Sequence, residues 1–366
     1  MSPFLFSEIK MSIFSSFKKE ISKINGISVG DGIPKFWIDT GSYVLNKIMS
    51  GSYKKGLPQG RLSAFTGPSS SGKSFMLGNC IRSAQQQDCA VLIIDTENAL
   101  DFDYLRAVGV DVTKDDFMRI SLNDIDLCVK AVHEVLAVYR EDPSNSKKML
   151  LCIDSLDFLF TNSAKEAYEK SGELNNDQGL HAKKLKQMLV TIMQDIKDMP
   201  IAVIATKQCY VDQTPHAFPP FKFTEALKFP FSQIVLFTKL LDRDKTTRSI
   251  DGIRMKAFGW KVRFTKPFQQ VEVTVPYDTG LDPYDGILQA AETLKIITRS
   301  GAWYSFKDKK FQSSKFKDIQ EEVLEELCKR EKESLVVEIT DAIEEIPVAN
   351  ERDVKLQKLE ELAYQE

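Results

Sequence analysis

Short apolar runs alternate with amphipathic segments between residues 61 and 276. The runs at 90–95, 149–153 and 201–205 are almost continuously apolar, which is typical of strands buried on both faces. Further strands are predicted at 61–65, 233–241 and 271–275, and segments of helical spacing lie at 73–87, 125–139 and 181–198. This alternation predicts an α/β core in which helices cover both faces of a mainly parallel sheet.

The pattern divides the chain into four regions. Residues 1–60 form an amino-terminal helical module, in which Phe14, Phe17, Ile21 and Ile24 recur at helical spacing. Such a helix buries its apolar stripe either in its own core or on a neighbouring subunit, and we assign the module to oligomerisation. The core follows at 61–280, a small cap or linker at 281–317 and an acidic helical tail at 318–366.

Composition excludes several classes of protein. With 43% hydrophobic and 28% charged residues, the 366-residue chain is neither disordered nor fibrous. No apolar run approaches the roughly 20 residues of a membrane span, and the first residues lack the positive leader of a secretion signal. The six cysteines form no CxxC pair, and three histidines without ligand spacing argue against zinc. We therefore expect a cytoplasmic protein with reduced thiols.

The charge is unevenly distributed. Residues 318–366 carry 16 acidic and 6 basic side chains, net −10, whereas the rest of the chain is net +7. A basic body favours an anionic partner, and an acidic tail could compete with that partner for the body. A purely solubilising tail explains the charge equally well.

The strongest motif lies at 67–74, where GPSSSGKS matches GxxxxGK[ST] after an apolar strand and before a helix. Backbone amides of such a loop and the helix amino terminus wrap the phosphates of ATP. Lys73 would reach between the β- and γ-phosphates, and the Ser74 hydroxyl would hold Mg²⁺. The candidate nucleotide-binding residues are Gly67, Pro68, Ser69, Ser70, Ser71, Gly72, Lys73 and Ser74.

Two neighbouring strands end in carboxylates. Asp154 follows four apolar residues and is the candidate second ligand of Mg²⁺, although an Asp there can also cap the next helix. Asp95 and Glu97 end the strand at 90–95 and lie on one face of it. Glu97, nearer the phosphates, is the candidate that orients the attacking water, and Asp95 is expected to brace the loop.

These motifs together resemble RecA-type recombinases. The resemblance rests on GPSSSGKS, IIDTENALDFDYLRAVGVD (93–111), LLCIDS (150–155), EALKF (225–229) and GAWYSF (301–306). The segment GLDPYDGILQAA (280–291) is most similar to the phage UvsX branch. The resemblance implies a RecA-like P-loop ATPase core with a helical amino-terminal module and a small carboxy-terminal region.

The resemblance also implies individual roles. Glu97 falls on the catalytic glutamate, and Asp101 and Tyr104 fall on residues that hold the adenine. Gln208 falls on the glutamine that senses the γ-phosphate and signals to a DNA-binding loop. Lys261 and Arg263 fall on a basic pair that reaches the ATP of the next subunit, with Arg where RecA has Lys, and act there like arginine fingers.

Two loops are expected to meet DNA. The first spans 162–178 and is polar, and the second, 209–228, carries aromatic and basic residues that suit stacking on unpaired bases and phosphate contact. Packing of the phenylalanines beneath the second loop is the alternative. Lys183 matches a basic DNA contact of RecA, whereas a later family arginine falls on Val190. The candidate DNA-binding residues are Lys183, Phe218, Phe221, Lys222, Phe223 and Lys228.

The sequence thus predicts an ATP- and Mg²⁺-dependent recombinase, a DNA-stimulated ATPase that forms helical filaments on single-stranded DNA and pairs them with homologous duplex. Its partners would be both forms of DNA, further copies of itself, and single-strand-binding and mediator proteins. Two alternatives are a hexameric RecA-fold helicase or motor, and a regulatory paralogue with weak catalysis.

Overall fold

The computed structural model describes residues 17, 20–21, 32–141, 147–164, 170, 172, 178–243, 250–276 and 280–344. Its α-helices are α1 (Tyr43–Ser50), α2 (Lys73–Gln86), α3 (Phe102–Ala107), α4 (Ile125–Glu141), α5 (Gln178–Ile196), α6 (Glu225–Lys228), α7 (Ile287–Thr293) and α8 (Gln320–Glu344). Its strands are β1 (Trp37–Ile38), β2 (Leu57–Pro58), β3 (Leu62–Gly67), β4 (Ala90–Asp95), β5 (Phe117–Ser121), β6 (Met149–Asp154), β7 (Ile201–Gln208), β8 (Tyr210–Val211), β9 (Phe221–Lys222), β10 (Phe231–Arg243), β11 (Ile250–Val262), β12 (Gln270–Pro276), β13 (Thr298–Ser300), β14 (Trp303–Phe306) and β15 (Lys309–Gln312).

Eight of these strands form one sheet in the order β12-β11-β10-β3-β7-β6-β4-β5. All neighbours from β10 to β5 are parallel, and β11 and β12 extend the sheet antiparallel beyond β10. The predicted mainly parallel sheet is therefore confirmed. It places the carboxyl ends of β3, β4, β6 and β7 along one edge, where ligands bind in sheets of this kind.

Helices cover both faces of the sheet, as the continuous apolar strands predict. Alternate residues of β4 take part in two separate hydrophobic clusters, Ile93 in one and Ile94 in the other. The first cluster includes Leu77 and Ile81 of α2, and the second includes side chains of α4 and α5 such as Leu189. A strand contributes to two cores in this way only when it is buried on both faces.

The segments on either side of the sheet join the first cluster. Leu45 and Ile48 of α1 are buried in it, so the described part of the amino-terminal module shares the core of 61–280. Within residues 1–31 the structure describes Phe17, Glu20 and Ile21, which are helical, and Phe14 and Ile24 of the predicted stripe lie outside the described residues. The oligomerisation role of that segment stays a prediction.

The region predicted as a cap or linker, 281–317, contains α7 and the three-stranded antiparallel sheet β13-β14-β15, and α8 follows it. Tyr304 is buried, whereas Trp303 is 52% exposed, because successive side chains of a strand face opposite sides. Val323, Leu324 and Leu327 of α8 are buried in the first cluster. The first turns of the acidic tail therefore belong structurally to the body. No helix among the described residues is long and apolar enough to cross a membrane.

Candidate functional site

The loop at 67–74 connects β3 to α2 at the carboxyl edge of the sheet. A Cβ at Gly67 would collide with the Phe237 carbonyl and the Ser71 hydroxyl, so only glycine fits this position. Gly72 has a φ of +94° and caps α2, and a side chain there would strike the sulfur of Met255. The local geometry thus requires both motif glycines. They bend the loop at 67–74, which we term the cradle.

The cradle contains polar atoms that lack partners within the chain. The hydroxyls of Thr66 and Ser71 are buried and make no hydrogen bond among the described residues. Lys73 Nζ turns back and donates to the carbonyls of Gly67, at 3.1 Å, and Pro68, at 2.9 Å. Burial lowers the pKa of Lys73, and the charges of nearby groups, including Asp154, oppose that shift. Unpaired hydroxyls beside a partly desolvated cation fit the phosphates of a nucleotide.

Asp154 ends β6 next to this cradle. The Thr206 hydroxyl of β7 donates to its Oδ1, whereas its buried Oδ2 has no partner among the described residues. Burial raises its pKa to about 6, whereas the Thr206 hydroxyl and the nearby Ser74 side chain act in the opposite direction. No group of three or more His, Cys, Asp and Glu that could hold a metal ion occurs in the described part of the chain. A Mg²⁺ ion here would thus depend on Asp154, Ser74, water and the nucleotide's own oxygens.

Asp95 and Glu97 have separate surroundings. The Asp95 carboxylate is fully buried and accepts from Arg119 Nη2 at 2.6 Å. It also accepts from two backbone amides, that of Glu97 at 3.1 Å and that of Leu100 at 3.0 Å. The expectation that Asp95 braces the loop is therefore confirmed. Glu97 is exposed, and its Oε1 accepts from the Ser155 hydroxyl at 2.5 Å. The structure thus brings Glu97 to the edge that holds Asp154 and the cradle.

A cavity of about 480 Å³ adjoins the cradle at Gly72. Tyr104 lines it and is half-buried, and burial raises the Tyr104 pKa to about 12. Asp101 is exposed, is not among the lining residues, and accepts from the Tyr104 amide at 2.7 Å as the N-cap of α3. The structure therefore gives Asp101 a capping role and places only Tyr104 against the cavity.

Sequence reasoning missed the polar side chains of this cavity, Asn79 and Arg82. Asn79 Oδ1 is buried and has no hydrogen-bond partner among the described residues. Phe75, Asn79 and Arg82 recur at i, i+4 and i+7, and this spacing places them on one face of α2. That signal was available in the sequence, because the helix begins at the motif lysine.

Gln208 ends β7 and pairs directly with Gly67 of β3. The backbone amide of Gln208 donates to Asp157 Oδ2 at 2.5 Å, and Lys207 Nζ donates to Asp157 Oδ1 at 2.5 Å. The next amide, that of Cys209, donates to the Gly67 carbonyl at 3.2 Å. The start of the 209–228 loop is therefore attached to the first residue of the cradle.

Lys261 and Arg263 lie away from the cradle of their own chain. Lys261 pairs with Ile234, which pairs with Ala64, three residues before Gly67, and Arg263 lies beyond the end of β11. At about 3.3 Å per residue, the basic pair is some 10–15 Å back along the strands, towards the opposite edge. Lys261 Nζ donates to the Lys228 carbonyl at 2.6 Å, and burial lowers its pKa.

The 209–228 loop forms a short hairpin, in which β8 pairs with β9. Phe218 is 74% exposed, and its ring meets those of Phe258 and Phe268 edge-on at 5.6 and 6.0 Å between centroids. Phe221 is half-buried. Phe223 is only 4% exposed and packs on Phe231 and Trp260, so the prediction that it lies uncovered is wrong. Its side chain joins the second hydrophobic cluster, as does that of Leu227.

The candidate DNA-contacting lysines lie on or near this surface. Lys222 forms an ion pair with Asp212 at 3.3 Å, and Lys228 with Glu225 at 2.6 Å, within α6. Lys183 is exposed on α5. The first expected DNA loop, 162–178, falls for the most part outside the described residues.

Comparison with known proteins agrees with the motifs. The family model described as RecA N-terminal domain matches residues 15–282. Protein RecA of Clostridioides difficile is 29% identical over 258 residues, which cover 70% of both chains. Protein RecA of Aquifex pyrophilus is 29% identical over 76% of this chain and 78% of its own. Protein RecA of Acholeplasma laidlawii is 27% identical over 86% of this chain and 92% of its own.

Proposed function

The chain belongs to the RecA family, and on that premise we propose that it is an ATP-dependent DNA strand-exchange recombinase. It would form helical filaments on single-stranded DNA and pair the bound strand with a homologous duplex, with DNA-stimulated ATP hydrolysis. One observation carries the proposal most directly. Gly67, the first residue of the cradle, pairs with Gln208, the last residue before the aromatic loop, so a nucleotide and a DNA strand would act on adjacent segments.

The cradle would hold the triphosphate through its amides, with Lys73 released from the loop carbonyls to reach the β- and γ-phosphates. Mg²⁺, when bound, would neutralise charge that develops on the phosphate oxygens. Ser74 and the unpaired Oδ2 of Asp154 are the groups of this chain that would hold it. Tyr104 would pack on the nucleoside in the adjoining cavity.

Glu97 would orient the attacking water from its exposed position beyond β4. The hydrogen bond from Ser155 fixes one of its oxygens. Gln208 would contact the γ-phosphate and shift when that group leaves. Because Cys209 is bonded to Gly67, such a shift would pass directly into the loop.

The site would be completed by a second copy of the chain. Lys261 and Arg263 lie too far along the strands from their own cradle to reach the same phosphates. In a head-to-tail assembly they would supply positive charge to the neighbour's transition state. ATP binding would then favour filament growth, and hydrolysis would weaken it.

The DNA contacts would come from Phe218, Phe221, Lys222 and Lys228 of the loop, and from Lys183 on α5. An exposed phenylalanine with lysines beside it suits stacking on unpaired bases and phosphate contact. Phe223 is withdrawn from this set, since it is buried. Single-strand-binding and mediator proteins are further proposed partners.

The segment GLDPYDGILQAA supports a place in the phage UvsX branch, and thereby a cytoplasmic site of action in a bacterial host. ATPase assays with and without single-stranded DNA, strand-exchange assays and negative-stain microscopy test the proposal together. DNA-stimulated turnover, helical filaments and strand exchange are expected. Closed rings would favour a helicase or motor, and a protein that binds recombinase filaments without turnover would be a regulatory paralogue.

A further inference from the structure

An ion pair with no assigned role lies between the ends of β6 and β7. Asp157, in the turn that follows Asp154, accepts from Lys207 Nζ through Oδ1 and from the Gln208 amide through Oδ2, both at 2.5 Å. The Lys207 side chain is 9% exposed and that of Asp157 16%. Both carboxylate oxygens are therefore occupied in a nearly dry setting.

Stability alone does not account for this arrangement. Removing two charges from water carries a desolvation cost, and apolar residues of similar size often stabilise a fold as well or better. Buried pairs that are retained can instead fix one local geometry, and short charge-assisted hydrogen bonds suit that role. Here the geometry that is fixed is the backbone at Gln208, between the cradle and the loop.

We propose that Asp157 is a positioning residue. Held by Lys207, Asp157 fixes the backbone amide of Gln208, so that the nucleotide site and the 209–228 loop move together. The proposal rests on the proposed DNA-stimulated ATPase. Asp157 itself makes no assigned contact with nucleotide or DNA. Its loss should therefore uncouple the two sites and leave basal turnover nearly unchanged.

Two double variants separate the amide contact from the ion pair. Asp157→Asn with Lys207→Met carries no unpaired charge and keeps an oxygen for the Gln208 amide. Asp157→Ala with Lys207→Met removes that acceptor as well. The matched control is Asp126→Ala with Lys184→Met, which removes an ion pair of 2.9 Å between α4 and α5 that is far more exposed.

The main readout is the ratio of ATPase rates with and without single-stranded DNA. We expect the Asn variant and the control to keep the wild-type ratio within about twofold. The Ala variant should lose about tenfold of that ratio, within the usual range of coupling between sites, while its basal rate stays within about twofold. An unchanged ratio in the Ala variant, or equal losses of both rates, would overturn the proposal.

Hydrogen exchange of the peptide at 201–212, measured without DNA, tests the positioning independently of the proposed function. We expect faster exchange at the end of β7 in the Ala variant than in the Asn variant, because a lost acceptor frees the amide. Equal exchange in the two variants would overturn the positioning role. If the wild-type protein shows no DNA stimulation, the proposed function fails, and this exchange difference still decides the inference.

Discussion

The Ser155 hydroxyl donates to Glu97 Oε1 at 2.5 Å. Ser155 directly follows the end of β6, and Glu97 lies beyond the end of the neighbouring β4, so this hydrogen bond joins the ends of the two strands. β4 and β6 are adjacent and in register, with Asp95 opposite Asp154. The candidate metal ligand and the candidate water-orienting residue are therefore fixed relative to each other by the sheet. Their close spacing suits two tasks on one phosphate.

Replacing Glu97 with glutamine should slow hydrolysis while ATP and DNA still bind. The amide keeps the size of the side chain but cannot accept a proton, and general-base losses are typically about 10²-fold or more. Filaments of this variant should last longer, because hydrolysis no longer dissolves them. Single-turnover hydrolysis and filament lifetime by microscopy check both expectations.

Asp95→Asn is the informative comparison for that variant. It leaves Arg119 without its buried partner charge, so we expect a lower melting temperature in addition to any effect on hydrolysis. Unchanged hydrolysis by Glu97→Gln would show that the water-orienting role does not belong to Glu97.

Lys73→Ala should abolish ATP-dependent filament formation and hydrolysis. Lys73 is the lysine within the phosphate cradle, and its amine now rests on the Gly67 and Pro68 carbonyls, from which a triphosphate would draw it. Binding of a fluorescent ATP analogue, ATPase rate and light scattering measure the effect, with the exposed Lys55→Ala as control. Normal turnover by Lys73→Ala would refute the assignment of the site.

Asp154→Asn should stabilise the nucleotide-free protein at pH 8. The same substitution should abolish ATP hydrolysis. Burial raises the Asp154 pKa from 3.8 to about 6, so the contribution of this carboxyl to stability is present below about pH 4 and lost as the pH rises through about 6. A pKa difference of this size between the folded and unfolded chains corresponds to at most about 3 kcal/mol of unfolding free energy. The gain in melting temperature should therefore shrink between pH 8 and pH 5.

The exposed Asp126→Asn serves as the control for that series, because its carboxylate does not lie in the cradle. A melting temperature for Asp154→Asn below that of the wild type at pH 8 would show that Asp154 is held mainly by favourable partners instead.

The features that the sequence predicted well depend on local pattern. The strand Ala90–Asp95 and the cradle have their ends set by apolar runs and motif glycines, and both lie where expected. The 13-residue strand β11 was not predicted, because its charged and glycine residues interrupt any apolar run. It is stabilised by pairing with two neighbours across the sheet, which no local window contains.

The site was predictable to the same extent. The positions of Glu97, Asp154 and Lys73 at one edge of the sheet were predictable because their motifs are contiguous. Phe223 was misplaced because its burial depends on Trp260, far along the chain. Asp157 was missed because its partners, Lys207 and Gln208, are about 50 residues away and give no signal until the strands are paired.

The basic pair offers a test of assembly. Lys261→Ala with Arg263→Ala should leave the chain folded and able to bind nucleotide, yet without cooperative, DNA-stimulated turnover. Mixed with Lys73→Ala, it should recover activity, since about a quarter of randomly formed head-to-tail interfaces would join an intact cradle to an intact basic pair. The exposed Lys239→Ala, on β10, is the control.

The recovered ATPase rate, measured at constant total protein, should be highest near equal proportions of the two variants. A rate that stays at the sum of the separate variants at every ratio would contradict a shared site.

The acidic tail must be tested with a cut that spares the core. Removal of residues 318–366 would also remove Val323, Leu324 and Leu327, which are buried. A chain ending at Glu333 keeps these side chains and loses nine acidic and three basic residues, a net −6. A full-length chain with six of those acidic residues changed to their amides is the matched control for length.

Both changes should raise affinity for duplex DNA, most strongly at low salt, if the tail competes with DNA for the basic body. The competition is electrostatic, so it should fade as the Debye length falls to about 8 Å at physiological ionic strength. Duplex binding by fluorescence anisotropy over a salt series measures it, with melting temperature recorded for each variant. Because the amide variant keeps the tail's bulk, an increase in the truncated chain alone would indicate steric blocking. Equal affinities in all three proteins at low salt, with equal melting temperatures, would refute autoinhibition and leave the tail a solubilising or partner-binding segment.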